Sequence, residues 1–133
     1  MGRSILAVVA GAIVMVVGVV AANFVLVLLV PAANEPGAAA GHGTALAVLL
    51  LFNLLVGVTG GYVTARVAAR APQRHALVLG IVQVALYVAS ALVDHGGVPL
   101  WWHAGMVVFL VPAVYLGGWL RIVQLPSPAS ASV

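Results

Sequence analysis

Histidine and carboxylate side chains that could bind a metal ion are concentrated in the predicted connections between apolar segments. Three imidazoles and two carboxylates suit zinc, copper or nickel. The candidate ligands are His42, Asp94, His95 and His103, with Glu35 near them in the predicted topology. No compact ligand motif such as H-E-x-x-H is present, and the adjacent pair Asp94-His95 has no diagnostic spacing. A transition-metal site is therefore an alternative interpretation, and we expect no cofactor.

Amide and hydroxyl side chains form a second group, which could act through hydrogen bonds. Asn23, Asn53 and Gln83 each lie roughly 8 to 11 residues, or about 12 to 16 Å, from the same predicted membrane surface. Tyr87 and Ser90 share a helical face with Gln83 because they follow it at intervals of four and then three residues. We expect a polar layer near the membrane midplane. It would serve either as hydrogen bonds between helices or as a binding or permeation site for a small polar solute.

Catalytic motifs are missing from the sequence. No serine stands in a G-x-S-x-G setting, and no acidic pair lies within an apolar run. Proton-coupled transport usually requires an intramembrane carboxylate, which the predicted spans lack. The chain has no cysteine, which excludes disulfides and thiol chemistry. We predict that the protein is not an enzyme.

The composition identifies the environment in which these side chains work. Of 133 residues, 65% are hydrophobic and 5% are charged, which leaves too little polar surface for a soluble domain. The chain is therefore predicted to be an integral membrane protein. Its net charge of +3 indicates membrane topology and contact with lipid, and we expect no nucleic-acid partner.

The apolar segments predict an all-α fold, an integral membrane four-helix bundle. The predicted helices cover residues 5–30, 45–67, 76–93 and 100–123, and a span needs about 20 residues. Thr44 is predicted to cap the second helix. Residues 1–123 form a single transmembrane domain, and residues 124–133 are expected to be a disordered cytoplasmic tail. A cleaved signal peptide is the alternative for the N-terminal half of the first helix.

The charged residues predict the orientation of the bundle. With the N-terminus inside, every arginine lies on the cytoplasmic side, whereas Glu35 and Asp94 lie outside. Three of the arginines, Arg66, Arg70 and Arg74, surround the turn between the second and third helices, where they are expected to contact lipid headgroups. We predict a multi-pass protein of the bacterial inner membrane, N-in/C-in, with both termini cytoplasmic.

Small residues recur on one face of the second helix. Gly57, Gly61 and Ala65 are spaced four residues apart, which allows a neighbouring helix to approach closely. The neighbour is either the first or third helix of the same chain or a helix of a second copy. Partners expected from the sequence are membrane lipids together with a homo-oligomer or a larger membrane complex.

The central hairpin also carries a resemblance. Its second helix ends with G-G-aromatic-x-x-A-R and its third begins with H-(A/G)-x-x-x-G. The matching residues are Gly60, Gly61, Tyr62, Ala65, Arg66, His75, Ala76 and Gly80. This hairpin resembles a loose group of uncharacterised small prokaryotic four-span membrane proteins, which implies a topology and no activity. The predicted function is a structural or interaction role, as an accessory subunit or homo-oligomer. The alternatives are a channel or transporter using the polar layer, and metal binding on the outer face.

Overall fold

A computed structural model describes residues 2–29, 43–68, 70–93 and 98–124 of the chain. These residues form four α-helices: α1 (Gly2–Leu29), α2 (Gly43–Val67), α3 (Pro72–Val93) and α4 (Leu100–Val123). Each helix is long and apolar enough to cross a membrane. The predicted all-α, four-helix architecture is confirmed. The predicted loop before Gly43, the turn at residues 94–97 and the tail beyond Gln124 lie outside the described residues.

The hairpin turn is shorter than predicted because α3 begins at Pro72 and not at residue 76. Proline suits the first helical position, since its fixed φ is already helical and its missing N–H would have no partner there. Ala71 precedes it with a φ of 48°, and the Ala71 carbonyl accepts the N–H groups of Arg74 and His75. Arg74 therefore belongs to the first turn of α3.

The start of α2 also differs from the prediction. The helix begins at Gly43, so Thr44 lies in its first turn and not at the capping position. In lipid the backbone gains from continuing its hydrogen bonds as far as possible, because an unpaired N–H or carbonyl there is costly.

Both α2 and α3 contact all three other helices, and the most extensive contact is the one between α2 and α4. Going around the bundle, α1 is followed by α2, α4 and α3, and in the described residues α1 and α4 do not meet. We call the end that carries Arg66, Arg70 and Arg74 the arginine end, and the opposite end the far end. Large apolar side chains such as Val17, Leu51 and Phe109 are more than half exposed and face outwards, as expected of a surface that contacts lipid.

Two glycines allow the backbones of α2 and α4 to touch. A Cβ atom on Gly61 would overlap the carbonyl oxygen of Val114, and one on Gly117 would overlap the carbonyl oxygen of Val58. Gly57 faces the same partner, because its Cβ would stand 3.2 Å from Leu110 Cδ1. The small-residue face of α2 therefore packs on α4. The prediction that its neighbour within the chain is the first or third helix was wrong.

The other helices pack closely together with this pair in the half near the arginine end. Gly11 of α1 lies against Gly60 and Thr64 of α2 and against Leu79 of α3. Leu79, Thr64 and Val114 are fully buried there. Three helices thus meet around one glycine, and this half of the bundle is closed.

Alanine substitutions should rank these contacts. We expect Gly61→Ala to lower the free energy of unfolding by about 1 to 3 kcal/mol, because the new methyl group meets backbone that cannot move aside. Gly57→Ala should cost less, since Leu110 is flexible at its tip. Gly43→Ala should be neutral or stabilising, because its methyl group would meet no described residue within 4 Å. Reversible unfolding in mixed micelles measures all three. Equal stability of the Gly61 and Gly43 variants would contradict this account of the α2–α4 contact.

Candidate functional site

A cavity of about 430 Å³ lies in the half of the bundle towards the far end. All four helices contribute to its wall. The polar residues of the wall are Asn23, Asn53, Gln83, Tyr87 and Ser90. These are the five residues that the sequence assigned to a polar layer, and the fold brings them to one cavity.

The remainder of the wall is apolar. Met15 and Val19 of α1 face Leu49 of α2, while Met106 and Leu110 of α4 close the opposite side. Ligand sites commonly have this composition, with an apolar lining that provides contact area and a few polar groups that fix orientation.

The cavity opens sideways, between α1 and α3. Val16, Val20 and Leu86 line it and are nevertheless about three-fifths exposed, at 58%, 64% and 60%. Towards the arginine end the cavity stops at Met15, which is 4% exposed and lies against Gly60. A molecule in the cavity would therefore meet the membrane interior at its side and packed protein beneath it.

In the described part of the chain, the two asparagine amides bond within their own helices and not between helices. Asn53 Nδ2 donates to the Leu49 carbonyl at 2.8 Å, and Asn23 Nδ2 donates to the Val19 carbonyl at 2.9 Å. Both bonds stay within one helix, one turn back along the chain. The described contacts therefore do not support the interpretation of these amides as hydrogen bonds between helices.

Tyr87 makes the hydrogen bond that does join two helices at this site. Its hydroxyl lies 2.8 Å from Nδ1 of His103, and the two ring centroids are 5.9 Å apart. Ser90 Oγ donates to the Tyr87 carbonyl at 2.8 Å. The bond between Tyr87 and His103 fixes the tyrosine ring in the cavity wall and holds α3 to α4.

The metal candidates are only partly described. His103 uses one ring nitrogen in the contact with Tyr87, whereas His42, Asp94 and His95 lie outside the described residues. Within the described ranges no group of three potential ligands is found. The metal hypothesis stays a prediction.

Trp102 is a wall residue that the sequence did not place in the polar layer or in any other candidate site. Trp102 lines the cavity and is 9% exposed, whereas Trp101 is 44% exposed. A signal was present: Trp102, Met106 and Leu110 are spaced by four residues and so occupy one helical face. Thr64 was also missed; it is fully buried, and its Oγ1 has no hydrogen-bond partner in the described part of the chain.

The arginine end is separate from this cavity. Arg66, Arg70 and Arg74 are all exposed there. Nearby, Tyr62 Oη donates to Gln124 Oε1 at 2.7 Å, which ties α2 to the end of α4. The three guanidinium groups stand where they can meet lipid phosphates, but they take no part in the cavity wall.

A double-mutant cycle should measure the bond between Tyr87 and His103. We expect Tyr87→Phe and His103→Leu to show a coupling of about 1 kcal/mol, the usual size for a side-chain hydrogen bond inside a membrane protein. Unfolding in mixed micelles supplies the four stabilities. Tyr115→Phe is the control, because Tyr115 is 41% exposed on the same helix as His103. A coupling no larger than that between His103→Leu and the control would contradict this role.

Comparison with known proteins gives no relative from which a function could be transferred. The chain matches no protein-family model, no curated protein and no solved structure. The cavity lined by the five polar residues is therefore the candidate functional site of this small multi-pass membrane protein.

Proposed function

We propose that this protein binds a small molecule in the cavity between α1 and α3, and that binding is its activity. One observation carries the proposal: five neutral polar side chains from three helices line a single cavity. In lipid, such groups are costly unless they have a purpose or a partner. The described residues of the wall supply amides, hydroxyls and apolar groups, which suit binding.

Binding is better supported than conduction through one protomer. A channel needs a continuous path, but between the cavity and the arginine end stand the fully buried side chains of Leu79, Thr64 and Val114. A pathway would require these helices to separate at the glycine contacts. The channel or transporter interpretation thus becomes a proposal about a second conformation or an oligomer.

A structural role, as accessory subunit or homo-oligomer, has less support. The face that the sequence offered for a second copy includes Gly57, Gly61 and Ala65, and all three are buried in the protomer. The polar groups add little support to a structural role, because the amides of Asn23 and Asn53 donate hydrogen bonds within their own helices. Association would have to use the lipid-facing side chains.

We further propose that the arginine end is cytoplasmic, in a bacterial inner membrane. Support comes from the exposure of Arg66, Arg70 and Arg74 together at one end. In this orientation the cavity lies in the outer leaflet, and both termini are on the cytoplasmic side.

Blocking the opening should abolish co-purification of a ligand. We expect native mass spectrometry, on protein taken from membranes in polymer-bounded discs, to find a bound mass that is lost from Val20→Trp/Leu86→Trp. The matched control is Val17→Trp/Val82→Trp, because these residues are exposed on the same two helices but do not line the cavity. If wild type, blocked variant and control carry the same masses, or none, the proposed binding function is wrong.

Thiol labelling should establish the orientation. The chain has no cysteine, so two variants each introduce a unique thiol: Thr44→Cys in the first turn of α2, and Arg70→Cys in the turn that follows the other end of α2. In intact cells we expect a membrane-impermeant maleimide to label the Thr44 variant and to spare the Arg70 variant, with both labelled after permeabilisation. The reverse pattern would place the arginine end outside.

A further inference from the structure

We propose that the ligand is an uncharged, lipid-soluble molecule with a carbonyl or hydroxyl group, which enters the cavity from the bilayer between α1 and α3. This inference rests on the proposed binding function and names the class of ligand. Three properties of the cavity support it: the charge of the wall, the unused hydrogen-bonding capacity of the wall amides, and the shape of the opening.

Among the residues that the structure describes, the wall contains no arginine, lysine, histidine or carboxylate. An ionised ligand would lose its hydration at this depth and find no countercharge, which is among the most expensive transfers in protein chemistry. A neutral ligand avoids that cost.

The side chain of Asn53 has unused hydrogen-bonding capacity. Asn53 is 5% exposed, and its only bond to a described residue is the one from Nδ2 to the Leu49 carbonyl. Its Oδ1 has no partner in the described ranges and is not among the fully enclosed polar atoms that lack one. That oxygen therefore keeps some accessible surface, on a side chain that lines the cavity. A hydroxyl can donate to it, and the remaining N–H of the same amide can donate to a carbonyl.

Gln83 adds a second amide to the same wall. Gln83 lies on α3 and Asn23 lies on α1, the two helices that border the opening. The Gln83 carboxamide makes no hydrogen bond to any residue within the described ranges. Amides from two helices thus offer both donors and acceptors, and a ligand with one carbonyl or hydroxyl head would use them without any charge.

The cavity has the size and the access that such a ligand needs. Its volume of about 430 Å³ lies in the usual range of small-molecule sites. Val16, Val20 and Leu86 border the open side. The rest of a chain can extend between these apolar side chains into the bilayer, so the ligand need never pass through water.

Trp102 provides an internal reporter, because it lines the cavity and is 9% exposed. Trp101→Phe/Trp119→Phe leaves Trp102 as the single tryptophan. The experiment places this variant in phosphatidylcholine vesicles at mildly alkaline pH. It compares quenching of Trp102 emission by three brominated probes: a long-chain alcohol, the fatty acid of equal chain length, and phosphatidylcholine itself.

We expect the alcohol to quench saturably, with the half-saturating mole fraction for the ionised acid at least tenfold higher. Asn53→Leu/Gln83→Leu should weaken binding of the alcohol about tenfold, the value of two hydrogen bonds of ordinary strength within a membrane. Thr59→Val is the matched control: Thr59 also bonds one turn back, to the Leu55 carbonyl at 2.9 Å, but it is exposed on α2 outside the cavity. It should leave alcohol binding unchanged.

Two results would overturn this inference. Equal or stronger quenching by the acid would show that the site prefers a charged amphiphile. Equal quenching by phosphatidylcholine would show that ordinary lipid chains fill the groove. Both comparisons use protein in which Asn53 and Gln83 are unchanged, so their results remain valid even if the double leucine variant fails to fold. Neither result depends on the co-purified mass that tests the binding function, so the two proposals can fail separately.

Discussion

The contact on which the rest of the bundle depends is the backbone approach between α2 and α4. Helices surrounded by lipid gain little from the hydrophobic effect when they associate, so dispersion contacts and hydrogen bonds must hold them together. Gly61 beneath the Val114 carbonyl and Gly117 beneath the Val58 carbonyl bring two backbones into direct contact. This pair is the frame on which α1 and α3 pack, since both of them contact α2 and α3 also contacts α4.

The unequal distribution of small residues produces the cavity. Near the arginine end, Gly11 and Gly60 allow α1 to lie directly on α2 and α3. Towards the far end, the wall positions hold larger side chains such as Trp102 and Tyr87. Closed packing thus occupies the half near the arginine end, and the cavity with its polar groups lies in the other half. A half-open bundle of this kind suits a ligand taken from the membrane better than a solute crossing it.

The sequence predicted the membrane spans and the helical faces better than it predicted which helices pack on one another. Hydropathy predicted four helices, and helical spacing placed Gln83, Tyr87 and Ser90 on one side of α3. Both results depend on the residues of a single helix. The start of α3 was misplaced because apolar character was taken as its boundary, whereas Pro72 and the positive φ of Ala71 determine where the backbone becomes helical. The predicted neighbour of Gly61 was also wrong, because the spacing of residues within one helix contains no information about which other helix packs on that face.

By itself the sequence determined that the chain is an all-α, multi-pass membrane protein, because the need to satisfy every backbone hydrogen bond in lipid leaves long apolar segments no other structure. It also identified the five polar residues of the site. Only the tertiary structure decided that these residues share one cavity, that Asn23 and Asn53 bond within their own helices, and that the cavity opens between α1 and α3. Such outcomes depend on which helices touch and at what depth, and that choice is made by packing between residues distant in sequence.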